Sequence, residues 1–182
     1  MAVLETKRIW LRPFEERDAE DLYAYAKDLR VGPAAGWKAH KSVEESLEII
    51  RTVFAAPHVF AVVEKESGKV IGSAGFVGRK YGDTYTASDE IGYSLSPDFW
   101  GRGIMSEAVA ELIRYGFEER GLDAIWCSHY EENLRSKRVM EKSGFTYLFS
   151  QILSDECCEN RSTLLYVLLR QDWERRKERT DG

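Results

Sequence analysis

Glycine residues lie where a strand-like segment gives way to a helical pattern, and this is the first place where the chain could bind a ligand. The run 100–106 contains Gly101 and Gly103 and follows a strand-like segment at 89–95. Glycine has no Cβ, so a ligand can approach its backbone closely. The first N–H groups of a helix lack partners within the helix and lie at the positive end of its dipole. The run therefore predicts a main-chain pocket for a phosphate or pyrophosphate, although a tight turn that packs a helix against a sheet explains the glycines equally well.

A second polar pair lies further along the chain, at the start of another helical pattern. Asn133 and Ser136 are three residues apart, so they share one helix face near its N-terminal end. Such a pair can hold a polar ligand. Because Asn is also a preferred N-cap residue, capping of the helix is the alternative interpretation.

The elements that must position these residues follow from hydrophobic periodicity, which predicts one mixed α/β (α+β) domain. Its sheet has about seven strands, predicted at 4–12, 58–64, 70–77, 89–95, 124–129, 145–149 and 162–169. About four helices flank the sheet, and they begin near Asp18, Ser42, Gly103 and Asn133. A breaker-rich loop at 31–37 separates the first two helices, and the strands at 58–64 and 70–77 form a hairpin. The domain is expected to cover 1–175, and the charged segment after Trp173 is expected to fray, leaving a tail at 176–182.

Composition excludes several classes of function. The chain has 182 residues, of which 43% are hydrophobic and 31% charged, as in a globular domain, and its net charge of −5 gives no support for nucleic-acid binding. The longest apolar stretch, 164–169, is too short to cross a bilayer, and charged residues interrupt any signal-peptide core near the N-terminus. Cys127, Cys157 and Cys158 have the spacing of neither a disulfide framework nor a zinc site, so a cytoplasmic protein without a metal is expected.

Taken together and in this order, the motifs resemble the GNAT acetyltransferase superfamily, and its RimJ/RimL-like N-acetyltransferase branch most closely. The resemblance covers nearly the whole chain. It includes Thr6-Lys7-Arg8-Ile9-Trp10-Leu11-Arg12-Pro13, Glu90-Ile91-Gly92-Tyr93, Phe99-Trp100-Gly101-Arg102-Gly103, Asn133, Ser136 and Gly144-Phe145. It implies a single-domain GNAT-like fold.

The resemblance also implies that acetyl-coenzyme A (acetyl-CoA) donates the acetyl group. Its diphosphate would bind the backbone of 100–106, and its pantetheine arm would add to the strand at 93–95 where that strand splays from 124–129. The implied cofactor-binding residues are Tyr93, Ser94, Leu95, Trp100, Gly101, Arg102, Gly103, Ile104, Met105, Ser106, Asn133 and Ser136. The sequence departs from the family pattern at Trp100 and at Met105, which is bulkier than the family's Gly or Ala.

Two catalytic roles follow from the same resemblance. The family tyrosine seven residues after the Asn falls on Met140, which has no acidic proton, whereas the serine donor of the RimL-like branch falls on Ser136. Ser136 is therefore predicted to protonate the leaving thiolate or to donate a hydrogen bond to its sulfur. Glu90 is the first candidate for the base that deprotonates the amine acceptor, with pairing to a nearby cation as its alternative role. His129 is a second candidate base, and Asp89 is expected to be a solvated turn residue.

The sequence thus predicts an N-acetyltransferase in which the amine attacks directly within a ternary complex. The acceptor is expected to be a protein N-terminal α-amine, with a small amine (a polyamine, an amino acid or a drug) as the alternative. A non-catalytic acyl-CoA sensor is the alternative of another class, which Met105 and Met140 allow. Trp37 and Glu90 are the predicted substrate-binding residues. Neither nucleic acid nor a membrane is an expected partner, and a homodimer is compatible with the resemblance.

Overall fold

A single sheet of eight strands organises the part of the chain that the computed structural model describes, residues 2–155, 157 and 159–181. The strands are β1 (Leu4–Glu5), β2 (Ile9–Arg12), β3 (Val59–Glu64), β4 (Val70–Phe76), β5 (Ser88–Leu95), β6 (Ala124–Tyr130), β7 (Thr146–Leu153) and β8 (Arg161–Leu169). The six helices of the same described residues are α1 (Ala19–Ala26), α2 (Gly32–Ala35), α3 (Val43–Arg51), α4 (Ile104–Arg114), α5 (Leu134–Lys142) and α6 (Arg170–Asp181). The predicted mixed α/β fold class is confirmed, and the strands of the sheet and its flanking helices are slightly more numerous than the sequence predicted.

The strand order is β1-β2-β3-β4-β5-β6-β8-β7, and neighbouring strands are antiparallel except for β5 and β6. These two are parallel because α4 crosses between them, as the strand–helix–strand pattern predicted. β5 pairs with β6 only from Ser88 to Glu90, yet it stays paired with β4 as far as Leu95. A gap therefore opens between β5 beyond Glu90 and β6 beyond Trp126, and we call this gap the fork.

Hydrophobic residues cover both faces of the sheet. On one face α4 packs its apolar side, including Leu112, into a cluster that also contains Ile125 and Met140. On the other face α1 and α3 cover a smaller cluster that includes Leu22 and Ile50. The helical spacing of apolar residues in the sequence predicted these buried sides. None of the described helices is both long enough and apolar enough to cross a membrane.

Two predictions about local structure were wrong. The first strand is interrupted, because the backbone turns back at Thr6, whose N–H donates to the carbonyl of Ile9 at 3.0 Å. The loop at 31–37 contains the one-turn helix α2, which ends at Gly36 in the left-handed region, with φ of 89°. Beyond the predicted domain end at 175, α6 continues to Asp181, and residue 182 of the predicted tail lies outside the described residues. The ring of Trp173 in α6 packs against Phe117 with their centroids 5.3 Å apart.

Candidate active site

The fork opens into a cleft of about 540 Å³ that runs along β5, the loop before α4 and the start of α5. Most of the predicted cofactor-binding residues line this cleft. They are Tyr93, Ser94, Leu95, Trp100, Gly101, Gly103, Ile104, Met105, Ser106, Asn133 and Ser136. Glu90 lines it as well, so the structure brings both predicted catalytic residues to one cavity.

The loop before α4 presents main chain to the cleft. Gly101 and Gly103 have φ of 76° and 74°, a region that side chains disfavour, so glycine is needed at both positions. Gly103 is the N-cap of α4, and the first N–H groups of this eleven-residue helix point toward the cleft end of the loop. The side chains of Ile104 and Met105 are buried in the core. The bulk of Met105, which departs from the family pattern, is therefore accommodated largely in the core.

Arg8 ties this loop to the first hairpin. Its Nη1 donates to the carbonyl of Arg102 at 2.8 Å, and its Nε donates to the carboxylate of Glu107 at 2.7 Å. Glu107 also accepts from the backbone N–H of Arg8 and from the hydroxyl of Thr6. This carboxylate lies in the first turn of α4, where an unpaired negative charge would oppose an anionic ligand. Arg8 therefore shapes the loop and neutralises the charge nearest to it.

Replacing Arg8 with Gln should raise KM for acetyl-CoA about fivefold, with a smaller effect on kcat. The expected effect is moderate because Arg8 is 43% exposed and its ion pair is screened by solvent. Steady-state kinetics with acetyl-CoA as the varied substrate measures the change. Arg17→Gln is the matched control, because Arg17 is 76% exposed and its ion pair with Glu15 lies away from the loop. An unchanged KM in Arg8→Gln would contradict the role assigned to Arg8.

Trp100 closes the end of β5 nearest to the loop. Its indole N–H donates to the carbonyl of Leu95 at 2.9 Å, and the guanidinium of Arg135 lies over its ring at 3.9 Å. Between this point and the base of the fork, β5 has a partner strand on its β4 side alone. Along β5 the backbone groups alternate between β4 and the fork, so the N–H and C=O of Tyr93 face the fork and can bond to an extended ligand as an added strand would.

Ser136 is held at the fork by two neighbours. Its backbone N–H donates to Oδ1 of Asn133 at 3.1 Å, so the predicted cap is formed. Its hydroxyl lies 2.7 Å from the hydroxyl of Tyr93. When Tyr93 donates to Oγ of Ser136, the hydrogen of Ser136 is left for a ligand in the cleft. Burial raises the pKa of Tyr93 well above its ordinary value, so its phenol stays protonated at neutral pH.

Glu90 is a buried carboxylate with fixed oxygens. Oε1 accepts from the hydroxyl of Ser128 at 2.6 Å, and Oε2 accepts from the hydroxyl of Tyr81 at 3.0 Å. Nη1 of Arg79 lies 3.7 Å from Oε2. Burial, reinforced by the charge of Glu90, raises the pKa of Tyr81 to about 12, so this phenol remains a donor to the carboxylate. The cation pairing that the sequence left as an alternative is present, yet Glu90 also lines the cleft.

Glu90 and Ser136 reach the cleft from opposite faces of the sheet. Side chains alternate along a strand, so Glu90 and Tyr93 project to opposite sides of β5. Ser128 of β6 contacts Glu90 on one side, and Ser136 of α5 contacts Tyr93 on the other. A group lying in the fork would therefore have the carboxylate on one side and the hydroxyl pair on the other.

Some predicted residues lie elsewhere. Trp37 does not line the cleft described above: it packs against the cluster under α1 and α3, with its ring 5.1 Å from that of His40. The guanidinium of Arg102 lies over the ring of Phe99 at 5.0 Å, and only its backbone belongs to the loop. Asp89 is a buried partner of Arg120, with Oδ2 and Nη2 at 3.0 Å, and the expectation of a solvated turn was wrong.

His129 is buried, and its Nδ1 lies 2.7 Å from the carbonyl of Tyr130, so this nitrogen donates. Its Nε2 has no hydrogen-bond partner among the described residues. His129 alternates with Ser128 along β6 and so lies on the face opposite Glu90. It is less well placed than Glu90 to take a proton from an acceptor.

Sequence reasoning missed the residues that hold the predicted ones. Arg79, Tyr81 and Ser128 surround Glu90, and Arg8 supports the loop. Arg8 lies in the opening motif at 6–13, so the sequence did contain a signal that could have pointed to a role for this residue. The other contacts depend on the register of β5 against β6 and on the path of the loop after β4, which no local pattern reveals. In the described ranges, no group of three or more His, Cys, Asp or Glu side chains is arranged to hold a metal ion.

Comparisons with known proteins agree with this geometry. Residues 8–146 match the family profile described as an acetyltransferase (GNAT) domain. The chain is 30% identical over 151 residues to YoaA, an uncharacterised N-acetyltransferase of Bacillus subtilis, covering 79% of this chain and 82% of that protein. It is 25% identical over 186 residues to the ribosomal protein uS5-alanine N-acetyltransferase of Escherichia coli, covering 93% and 92%.

A solved structure of a GNAT-family acetyltransferase from Bacillus anthracis superposes with a TM-score of 0.81 at 25% identity, covering 93% of this chain and 99% of that one. The family and the fold predicted from the sequence are thereby confirmed. The chain belongs to the GNAT family and is an N-acetyltransferase.

Proposed function

We propose that this enzyme transfers an acetyl group from acetyl-CoA to an α-amine, which attacks the thioester directly within a ternary complex. The single observation that carries the proposal is the placement of Glu90 and of the Tyr93–Ser136 hydroxyl pair on opposite sides of one fork. A base and a hydrogen-bond donor on opposite sides are what deprotonation of an amine and departure of a thiolate require.

The cleft fits the proposed donor. At the loop end of the cleft, the backbone N–H groups after Gly103 are available to the diphosphate. No atom of the described residues outside the loop lies within 4 Å of the position that a Cβ on Gly101 would occupy. Asn133 and the open edge of β5 would hold the pantetheine arm. When bound, acetyl-CoA supplies the activated acetyl group, and residues of this chain carry out the proton transfer and stabilise the leaving thiolate.

Glu90 takes the proton from the attacking amine, directly or through a water molecule. An α-amine has a pKa near 8, whereas a lysine side chain has a pKa near 10.4, so the α-amine is much easier to deprotonate at neutral pH. The hydroxyls of Ser128 and Tyr81 fix the carboxylate of Glu90 in place. This difference in pKa favours an α-amine over a lysine side chain as the acceptor.

Ser136 donates a hydrogen bond to the sulfur as the thiolate leaves. The pKa of a free thiol lies near 8.5, well below that of an alcohol or of the buried phenol of Tyr93, so complete proton transfer from either hydroxyl is uphill. The hydroxyl pair therefore stabilises the developing charge by hydrogen bonding. Direct attack is supported by Cys127, because burial raises the pKa of its thiol and no nucleophilic thiolate forms there.

Ser136→Ala should lower kcat by roughly threefold to tenfold, because one hydrogen bond to a partly charged sulfur is lost. The release of free thiol from acetyl-CoA, followed with a chromogenic reagent, measures the rate. Ser150→Ala on the exposed strand β7 is the control. Full turnover of Ser136→Ala would show that the donor is elsewhere.

The acceptor is proposed to be the N-terminal α-amine of a protein, because the E. coli relative acts on the alanine of a ribosomal protein. A small amine is the second candidate. A screen of N-terminal peptides against small amines, read by acceptor-dependent thiol release, tests the choice. Intersecting initial-velocity lines support the ternary complex, whereas parallel lines would indicate a covalent acetyl-enzyme and overturn direct attack.

A further inference from the structure

The cleft is cationic although the whole chain is acidic. Five basic side chains line it against the single carboxylate of Glu90 in the part of the chain that the structure describes. The basic residues are Arg30, Arg79, Arg135, Arg138 and Lys142. An excess of positive charge repels a polycation and attracts anions. The charge of the cleft therefore disfavours a polyamine as the acceptor.

Four of these cations lie near the proposed cofactor, and the fifth does not. Arg135, Arg138 and Lys142 are on α5, and Arg30 lies beside Trp100, with its guanidinium 5.7 Å from that ring. An anionic cofactor accounts for this group. Arg79 follows β4 instead and lies next to Glu90, the proposed base.

Arg79 is placed to bind a second anion. Its Nη1 is 3.7 Å from Oε2 of Glu90, which is longer than a hydrogen bond, and its side chain is 67% exposed. Both oxygens of Glu90 already accept from Ser128 and Tyr81. Arg79 lines the cleft with a largely exposed guanidinium, whose planar donors match the two oxygens of a carboxylate.

We infer that the acceptor carries a carboxylate close to its attacking amine, with the amine at Glu90 and the carboxylate at Arg79. The inference rests on the proposed function, since it assigns the chemistry of the acceptor at that same site. The carboxylate has two sources: the α-carboxylate of a free amino acid, or an acidic side chain next to the N-terminal residue of a peptide. In both kinds of acceptor, the protonated amine faces Glu90 and the neighbouring carboxylate faces Arg79, so each charge of the acceptor meets an opposite charge of the enzyme.

Matched acceptors test the inference with the full-length enzyme and acetyl-CoA. One arm compares L-alanine with L-alaninamide, and the other compares peptides that begin Ala-Glu and Ala-Gln. If the acceptor is a free amino acid, L-alanine should show a kcat/KM about tenfold higher than L-alaninamide. If the acceptor is a peptide, the peptide that begins Ala-Glu should show a kcat/KM about tenfold higher than the one that begins Ala-Gln. A difference of this size is typical of one charge-assisted hydrogen-bond pair. Spermidine should be a poorer acceptor than the acidic member.

Variants of Arg79 connect the preference to this residue. In Arg79→Gln the ratio of acidic to neutral acceptor should fall toward one, and in Arg79→Glu a peptide beginning Ala-Lys should become the better acceptor. Lys80→Gln is the matched control, because Lys80 lies in the same loop and its Nζ donates to the carbonyl of Thr86. This control should keep the ratio of the unmodified enzyme.

The outcomes separate the two proposals. Equal or better turnover of the neutral acceptors by the unmodified enzyme, or a ratio that survives Arg79→Gln, would overturn the inference and leave the proposed function intact. Absence of acceptor-dependent thiol release with every member of both arms would overturn both.

Discussion

Replacing Glu90 with Gln is expected to lower kcat for acetyl transfer by a factor of about 100 to 1,000, which is the usual contribution of a positioned general base. Glutamine has nearly the same shape, and its oxygen can accept from one of the hydroxyls of Ser128 and Tyr81 while its amide N–H donates to the other, so the fold around it should persist. The loss comes from the missing negative charge that accepts the proton of the amine. KM for acetyl-CoA should change little, because the loop proposed to bind its diphosphate lies at the other end of the cleft.

The pH dependence of this variant gives a second readout. Without the base, only amine that is already deprotonated can attack, and an α-amine loses its proton near pH 8. The turnover rate of Glu90→Gln should therefore rise with pH up to about 8. Over the same range, the ratio of the rate of the unmodified enzyme to the rate of the variant should fall. Initial rates at saturating acetyl-CoA over this pH range measure the effect. Glu66→Gln, in the exposed turn between β3 and β4, is the control.

Two results would contradict the role of Glu90. Turnover of Glu90→Gln within about twofold of the unmodified enzyme would remove it as the base, since a general base contributes far more. If the ratio of the two turnover rates were the same at all pH values, Glu90 would position the acceptor without taking its proton. His129 would then need a test of its own, because this residue lines the same cleft and its buried Nε2 has no hydrogen-bond partner among the described residues.

The features that the sequence predicted correctly depend on local signals. Glycine with positive φ before a helix, a capping Asn and helical spacing of apolar residues each operate within a few residues. The loop at Gly101 and Gly103, the cap at Asn133 and the buried side of α4 were found in this way. These local features positioned most of the residues that are predicted to bind the cofactor.

The features that sequence reasoning missed depend on pairing between distant segments. Whether Trp37 faces the cleft is decided by how the α2 segment folds back onto α1 and α3, and its indole packs inward there. The pairing of Tyr93 with Ser136 joins a strand to a helix across the fork. Asp89 looked like a turn residue because it is polar and follows a polar loop, but the chain places Arg120 beside it. Charge patterning in the sequence does not reveal such partners.

Asp89 joins the loop that carries Arg79 and Tyr81 to the base of the fork. Its Oδ1 accepts from the backbone N–H groups of Gly78 and Glu90, each at 2.8 Å. Its Oδ2 pairs with Nη2 of Arg120 at 3.0 Å, with side-chain exposures of 9% for Asp89 and 19% for Arg120. The same carboxylate therefore holds the strand, the loop and a nearly buried cation.

Asp89→Ala is expected to lower the free energy of unfolding by about 3 to 5 kcal/mol, because it leaves the charge of Arg120 buried without its partner. Nη1 of Arg120 already has no hydrogen-bond partner among the described residues, so the guanidinium has no alternative acceptor nearby. Urea unfolding followed by fluorescence measures the loss. Asp172→Ala, in the solvent-exposed first turn of α6, is the control and should change stability far less.

The double variant Asp89→Ala/Arg120→Met separates the stabilising role of this pair from its effect on catalysis. Removing both charges removes the unpaired cation, so part of the lost stability should return, and methionine can still pack on Phe76, over whose ring Arg120 lies at 4.4 Å. Turnover should be low in both the single and the double variant, because in each the backbone N–H groups of Gly78 and Glu90 have lost the acceptor that positions Glu90. If turnover returned together with stability, the position of Glu90 would not depend on Asp89. If stability did not return, the ion pair would not be the source of the loss.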